Sequence, residues 1–210
     1  MEILTCLAIL FTAVLMGMRV EYARGCMKDL EFPAGRVWTE KRTWLAALGW
    51  IVIFFGCFIL SGWNLTAVRM LDLLACYLLF AAIDWKWRVV PEYLLICLLA
   101  GQLLLGAAAE LPMALLGTCI SGGIFFLVLL VLARVFKNGL GLGDVKLLGV
   151  TAMAAGWTYA VVIFGLALVF SLIFGLWLLV VKRKSIKTEV PFVPFLALAM
   201  LVHIVLTMIL

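Results

Sequence analysis

Apolar residues gather into eight runs, separated by short polar connections, at 2–18, 44–62, 66–84, 90–108, 111–133, 145–156, 159–181 and 192–210. A helix needs about 20 mostly apolar residues, with a range of roughly 17–25, to cross the hydrocarbon of a bilayer. All the runs but the sixth reach that range. The sixth predicts a short helix that is sheltered by its neighbours or begins inside the protein. The pattern therefore predicts an all-α, polytopic membrane protein of about eight transmembrane helices, with seven as the fallback. Two units follow: 1–64, two spans joined by a basic loop, and 65–210, a core of six spans.

The polar connections orient the spans, because Lys and Arg favour the cytoplasmic side. The loop 19–43 carries Arg19, Arg24, Lys28, Arg36, Lys41 and Arg42. The third connection carries Lys86 and Arg88, the fifth Arg134 and Lys137 with Lys146 just beyond, and the seventh Lys182, Arg183, Lys184 and Lys187. Of the 16 basic residues only Arg69 falls on the other side. An even number of spans between these loops is required, and both termini are predicted outside. Glu2 precedes the first run and Arg19 follows it, the reverse of a signal peptide. The first run is therefore read as a retained span.

Composition agrees. Hydrophobic residues make up 68% of the chain, against about 45–50% in soluble domains. A soluble globule, a disordered chain and a disulfide scaffold are excluded. The net charge of +5 follows the loop asymmetry and implies no nucleic-acid partner. Cys6, Cys26, Cys57, Cys76, Cys97 and Cys119 are scattered without a C-x-x-C pair. They predict packing residues rather than a zinc ribbon or a redox site.

Ionisable groups within or beside spans are costly and often functional. Here they are Asp72, Asp84, Glu92, Asp144, Lys146 and His203. Asp144 follows Gly139, Gly141 and Gly143 at the start of an apolar run. Glycine lets backbone approach closely, and a helix N-terminus favours negative charge. Taken alone, Asp144 is also a plain helix cap after a glycine turn. Asp84 ends the third span just before Lys86 and Arg88, and taken alone reads as a paired interfacial charge. The loop count places both acids at the cytoplasmic face. Two carboxylates at one depth can share a proton, so that one activates water and the other donates. With one histidine in the chain, no Ser–His–Asp set or histidine-rich metal set can be assembled there. His203 lies about 16 Å along the last span from Phe192, at ~1.5 Å per residue, and is expected to pack as a neutral side chain. Asp72 is expected to pair with Arg69, three residues away.

At this point the residues resemble a known family. Gly141-Leu142-Gly143-Asp144-Val145-Lys146-Leu147-Leu148 is similar to the G-x-G-D-x-K-L signature of type IV prepilin peptidases, which are bacterial intramembrane aspartic proteases. Asp84, with Arg88, Val90 and Pro91 behind it, resembles that family's first catalytic segment. Val190-Pro191-Phe192-Val193-Pro194-Phe195-Leu196-Ala197 resembles its I-P-F-G-P-F-L-A segment. The three matches stand in order over roughly 65–210. Val193 departs from the usual glycine, and Glu92 stands where asparagine is common. The two C-x-x-C pairs that the family's bifunctional members carry, linked to N-methylation, are absent from the loop 19–43, which has Cys26 alone.

The resemblance implies Asp84 and Asp144 as catalytic acids. Gly141, Gly143, Lys146, Pro191 and Phe192 are expected at the substrate. The implied partners are prepilin or pseudopilin precursors and the lipid bilayer of the bacterial cytoplasmic (inner) membrane. No metal or organic cofactor is implied, since water and two carboxylates suffice. N-methyltransfer is not expected. The competing reading is a small transporter or ion channel, in which intramembrane acids and glycine-broken helices also occur.

Overall fold

The computed structural model describes residues 2–29, 65–109, 111–135, 141–181 and 190–209. Among them are seven helices: α1 (Glu2–Asp29), α2 (Leu65–Trp87), α3 (Glu92–Ala109), α4 (Pro112–Val135), α5 (Leu142–Ala155), α6 (Trp157–Val180) and α7 (Val193–Ile209). The expected span 44–62 lies outside the described residues, as do 30–43, 136–140 and 182–189. The seven helices match the other seven runs. Five stretches, Thr5–Ala23 and the whole of α2, α3, α4 and α6, are long and apolar enough to cross a membrane. In hydrocarbon the backbone must satisfy its own polar groups, which the helix does within one segment.

The helices form a ring. α2 packs on α7, α7 on α6, α6 on α5, α5 on α3, and α3 returns to α2. α1 lies against α2 and α3, and α4 lies against α5. Buried Tyr77, Phe80, Leu98, Leu147, Leu148, Ile163 and Leu196 fill the middle, and Met16, Tyr22 and Ala23 of α1 join the same cluster.

The short sixth run is explained by its place. α5, with 14 residues, spans only about 21 Å at ~1.5 Å per residue, less than the ~30 Å hydrocarbon. It is sheltered on three sides by α3, α4 and α6. Gly122 of α4 sits on the α5 backbone, where a methyl group would overlap Ala152 and Met153. α5 ends at Gly156, whose φ of +98° is open only to glycine at little cost. The chain turns there and restarts at once as α6.

α1 corrects two expectations. It runs to Asp29 rather than ending near residue 18, so Arg19 lies within a helix and not in a loop. Arg19 is 3% exposed and donates to Asp72 Oδ1 at 2.7 Å, to Cys76 Sγ at 3.0 Å and to the Cys97 carbonyl at 3.1 Å. Asp72, 1% exposed, also accepts from Gln102 Nε2 at 2.9 Å. Arg19 is thus the partner the structure gives Asp72. Arg69, the partner expected from sequence, donates to the Ala154 carbonyl at 2.6 Å. The physical reason is rotation. Spacing along one helix cannot show which face a neighbouring helix covers. Gly101 leaves room for the guanidinium, since a methyl group there would lie 2.8 Å from Arg19 Nη2.

Candidate functional site

α2 carries Asp84 one turn before its end. The helix stops after Trp87 because Arg88 takes a left-handed conformation (φ +54°) while its N–H still reaches the Asp84 carbonyl at 2.9 Å. Such a conformation costs a residue with a side chain about 1–2 kcal/mol, and glycine is the usual occupant. Here it turns the chain sharply into Pro91 and α3, and the Arg88 charge acts on the Asp84 carboxyl.

Asp84 is 7% exposed. Its Oδ2 accepts the backbone N–H of Val193, the first residue of α7, at 3.1 Å. The first N–H groups of a helix have no partner within it. Asp84 therefore caps α7 from another helix, at the positive end of the α7 dipole. This role falls to the segment Pro191-Phe192-Val193-Pro194, where the chain must present a free N–H. Val193 does so although glycine is usual there, because the contact uses only backbone. Phe192 meets Phe164 edge-on at 6.1 Å between ring centres, and its carbonyl accepts from Phe195 and Leu196 at 3.0 and 3.3 Å. Pro191 directly precedes it.

Asp144 is the third residue of α5, half-buried, in a first turn that also favours negative charge. Gly141, the residue before the helix, is extended and offers no side-chain cap. A methyl group on Gly141 would come within 3.0 Å of Asp144 Oδ2, and one on Gly143 within 2.9 Å of Val90 Cγ2. The two glycines therefore keep space free around the carboxylate and let the 88–91 connection close against α5.

α2 and α5 face each other across the ring. Tyr77 Oη and Thr151 Oγ1 are 2.5 Å apart. Asp84 stands seven residues after Tyr77, and Asp144 seven residues before Thr151. Seven residues are two turns, about 10 Å at ~1.5 Å per residue. Two turns from that contact toward the same end of the ring, both helices present an acid on the same face. The Asp84 charge is accordingly felt at Asp144.

Lys146 does not turn to Asp144. It forms an ion pair with Glu92, the first residue of α3, and both side chains are exposed. His203 packs against Tyr159 edge-on at 4.8 Å, away from the two acids. Among the described residues no group of three or more His, Cys, Asp or Glu is placed to hold a metal ion. Sequence reasoning had marked Arg88 and Val90 as part of the segment behind Asp84, but not Tyr77 or Thr151. Tyr77 and Thr151 did carry a signal, since each lies one heptad from an acid.

Residues 71–176, which hold both acids, match the type IV leader peptidase family. The chain belongs to that family. It is 32% identical over 146 residues, 66% of its own length, to the prepilin leader peptidase/N-methyltransferase of Aeromonas salmonicida, strain A449. It is 29% identical over 158 residues to the protein of that name from Pseudomonas putida, and 30% identical over 146 residues to that of Aeromonas hydrophila. These matches cover 48%, 54% and 48% of the relatives' lengths, so the chain spans about half of the leader peptidases it resembles. No solved structure matches it. Family membership does not by itself fix what the chain does. It leaves the acting residues and the face of the membrane to be argued from the site.

Proposed function

We propose that the chain is an intramembrane aspartic endopeptidase that removes the basic leader of type IV prepilin-like precursors, with Asp84 and Asp144 as its acids. The observation that supports the reading is the Tyr77–Thr151 contact, from which each acid stands seven residues away along its own helix. One carboxylate takes a proton from water, and the water oxygen bonds to the scissile carbonyl carbon. The other carboxyl gives its proton to the amide nitrogen as the C–N bond breaks. The carboxylate that took the water proton then holds it, and exchange restores the starting pair. In this reading, like charges brought together disfavour double ionisation, which supplies the one-proton state the cycle needs.

The cycle runs at the cytoplasmic face. Support comes from the loop count, since Lys86, Arg88 and Lys146 flank the two acids and basic residues favour that side. A precursor with a short basic leader and an apolar segment would present the bond between them at that depth. Gly141 and Gly143 leave backbone accessible beside Asp144, and Pro191 and Phe192 set the α7 N-terminus on Asp84. N-methyltransfer, named for the relatives, is not part of this proposal, because the sequence contains no C-x-x-C pair.

The test is co-expression with candidate prepilins in cells lacking their own leader peptidase. Wild type should shorten a precursor. Asp84→Asn and Asp144→Asn, inserted to the same level by membrane fractionation, should not. Equal processing by either variant would refute the dyad.

A further inference from the structure

Asp84 and Asp144 are supplied differently with partners. Asp84 Oδ2 accepts the Val193 N–H at 3.1 Å, and the charge of Arg88, four residues on, acts on the same carboxyl. Both favour the ionised form, because a donor and an opposite charge stabilise a carboxylate. Asp144 has neither support. Among the described residues no hydrogen-bond donor reaches its carboxyl, and the charge that acts on it is that of Asp84, of like sign. The nearest cation on its own helix is Lys146. A spacing of two puts side chains on different faces of a helix, and Lys146 is paired with Glu92 of α3. Two further influences do not separate the acids. Each meets a helix N-terminus, Asp84 that of α7 and Asp144 that of α5. Burial disfavours charge at both, and Asp84 is only 7% exposed. The N–H and the guanidinium therefore decide between them. Of the other titratable groups on the surrounding helices, Arg19 and Asp72 pair with each other. Lys86 lies over the Trp87 ring at 5.1 Å, and Arg134 stands in the last turn of α4. Tyr77 and Tyr159 are phenols, with an ordinary value of about 10, and His203 packs on Tyr159.

We propose that the two acids hold fixed and different roles. Asp84 is the base that takes the water proton, Asp144 is the acid that protonates the leaving nitrogen, and Arg88 is a positioning residue whose charge keeps Asp84 ionised. The inference rests on the dyad reading above. The water oxygen bonds to the scissile carbonyl carbon as one water proton passes to Asp84. The Asp144 proton passes to the amide nitrogen as the C–N bond breaks. Asp84 then holds a proton and Asp144 is charged, and one proton passed from Asp84 to Asp144 restores the starting pair. Arg88 takes its left-handed backbone (φ +54°) at the turn directly after α2. The strained turn thus keeps a cation within one turn of Asp84.

The experiment is the pH profile of kcat/KM for a prepilin, with the full-length protein in phosphatidylethanolamine–phosphatidylglycerol vesicles. The acid limb reports the base of the free enzyme and the alkaline limb its acid. Arg88→Gln removes the charge, and Arg88→Lys keeps it. Arg88→Gly removes the charge and relieves the left-handed backbone, so a loss of fold does not stand in for a loss of charge. Removing a group that stabilises a carboxylate raises its pKa, so the limb on which the base gains its proton moves to higher pH. The Gln and Gly variants should move the acid limb up by about half a pH unit, the order of one exposed charge, and leave the alkaline limb in place. The Lys variant should restore the wild-type limb. Val193→Pro, which removes the N–H, should move the acid limb the same way by about one unit. An unmoved acid limb in the Gln and Gly variants, or an alkaline limb that moves as far or further, would overturn the assignment. A Lys variant that shifts like Gln would remove Arg88 from it. In each of these cases the dyad itself stands as long as Asp84→Asn and Asp144→Asn are both inactive. Cleavage at the wild-type rate by either Asn variant, or none by wild type, removes the dyad and the assignment together.

Discussion

α2 carries two acids twelve residues apart, and their surroundings are opposite. Asp72, in the middle of the helix, is enclosed. Arg19 and Gln102 occupy both of its oxygens, and Arg19 continues to Cys76 and the Cys97 carbonyl. Asp84, near the end, receives a backbone N–H from Val193 and looks across the ring toward a second acid. A carboxylate locked to a guanidinium in a dry interior holds helices together and has no proton to trade. In the proposed reading, a carboxylate brought beside another acid can share a proton with it and activate a water. The same residue type on the same helix thus serves packing at one depth and, in the proposed reading, chemistry at another. The contrast also weighs against transport as the main role, since the deep acid is already engaged.

The comparison breaks most readily at the open end. Asp144→Asn should lower the cleavage rate by about 10³-fold, within the ~10²–10⁴ that positioned acid–base groups contribute. Its thermal unfolding in detergent should stay near that of wild type. A large loss of stability with cleavage retained would mean that Asp144 belongs with Asp72 as a structural acid.

At the closed end the signs reverse. Arg19→Met leaves a buried carboxylate unpaired and should cost about 3–5 kcal/mol of stability. Pairing it with Asp72→Leu should recover most of that, because an apolar pair of similar size is often neutral. Thermal melts of the single and double variants measure both. No loss in Arg19→Met would show that the ion pair does not hold α1.

Val193→Pro sharpens the role of the α7 N-terminus. Proline is tolerated at the first position of a helix, so the fold should survive while the N–H to Asp84 is lost. Hydrogen bonds to charged groups are worth about 1.5–3 kcal/mol, so kcat should fall tenfold or more. Wild-type turnover in this variant would reduce the contact to packing. The smallest effect is expected at the bridge between the two helices. Tyr77→Phe removes one hydroxyl, and Thr151 keeps its bond to the Leu147 carbonyl at 2.9 Å. A loss of about 1 kcal/mol in stability is expected, with cleavage changed only a few-fold. A collapse of activity would mean that this contact sets the separation of the acids.

The sequence by itself determined where the described helices lie, because crossing hydrocarbon demands long apolar runs whose backbone bonds stay within one segment. It also marked Asp84 and Asp144 through their motifs, and the glycines before Asp144 through their spacing. Partners were a different matter. Arg19 read as a loop charge because a count of basic residues does not show that a helix continues past its apolar run. The ion pair of Lys146 with Glu92 of α3 was likewise not legible in either segment. The donor to Asp84 is the N–H of Val193, a backbone group that every residue but proline carries and no motif singles out. Each of these depended on how the helices are rotated against one another. That rotation is set by where glycines admit close approach, at Gly101, Gly122, Gly143 and Gly149, and is a property of the packed ring rather than of any one segment.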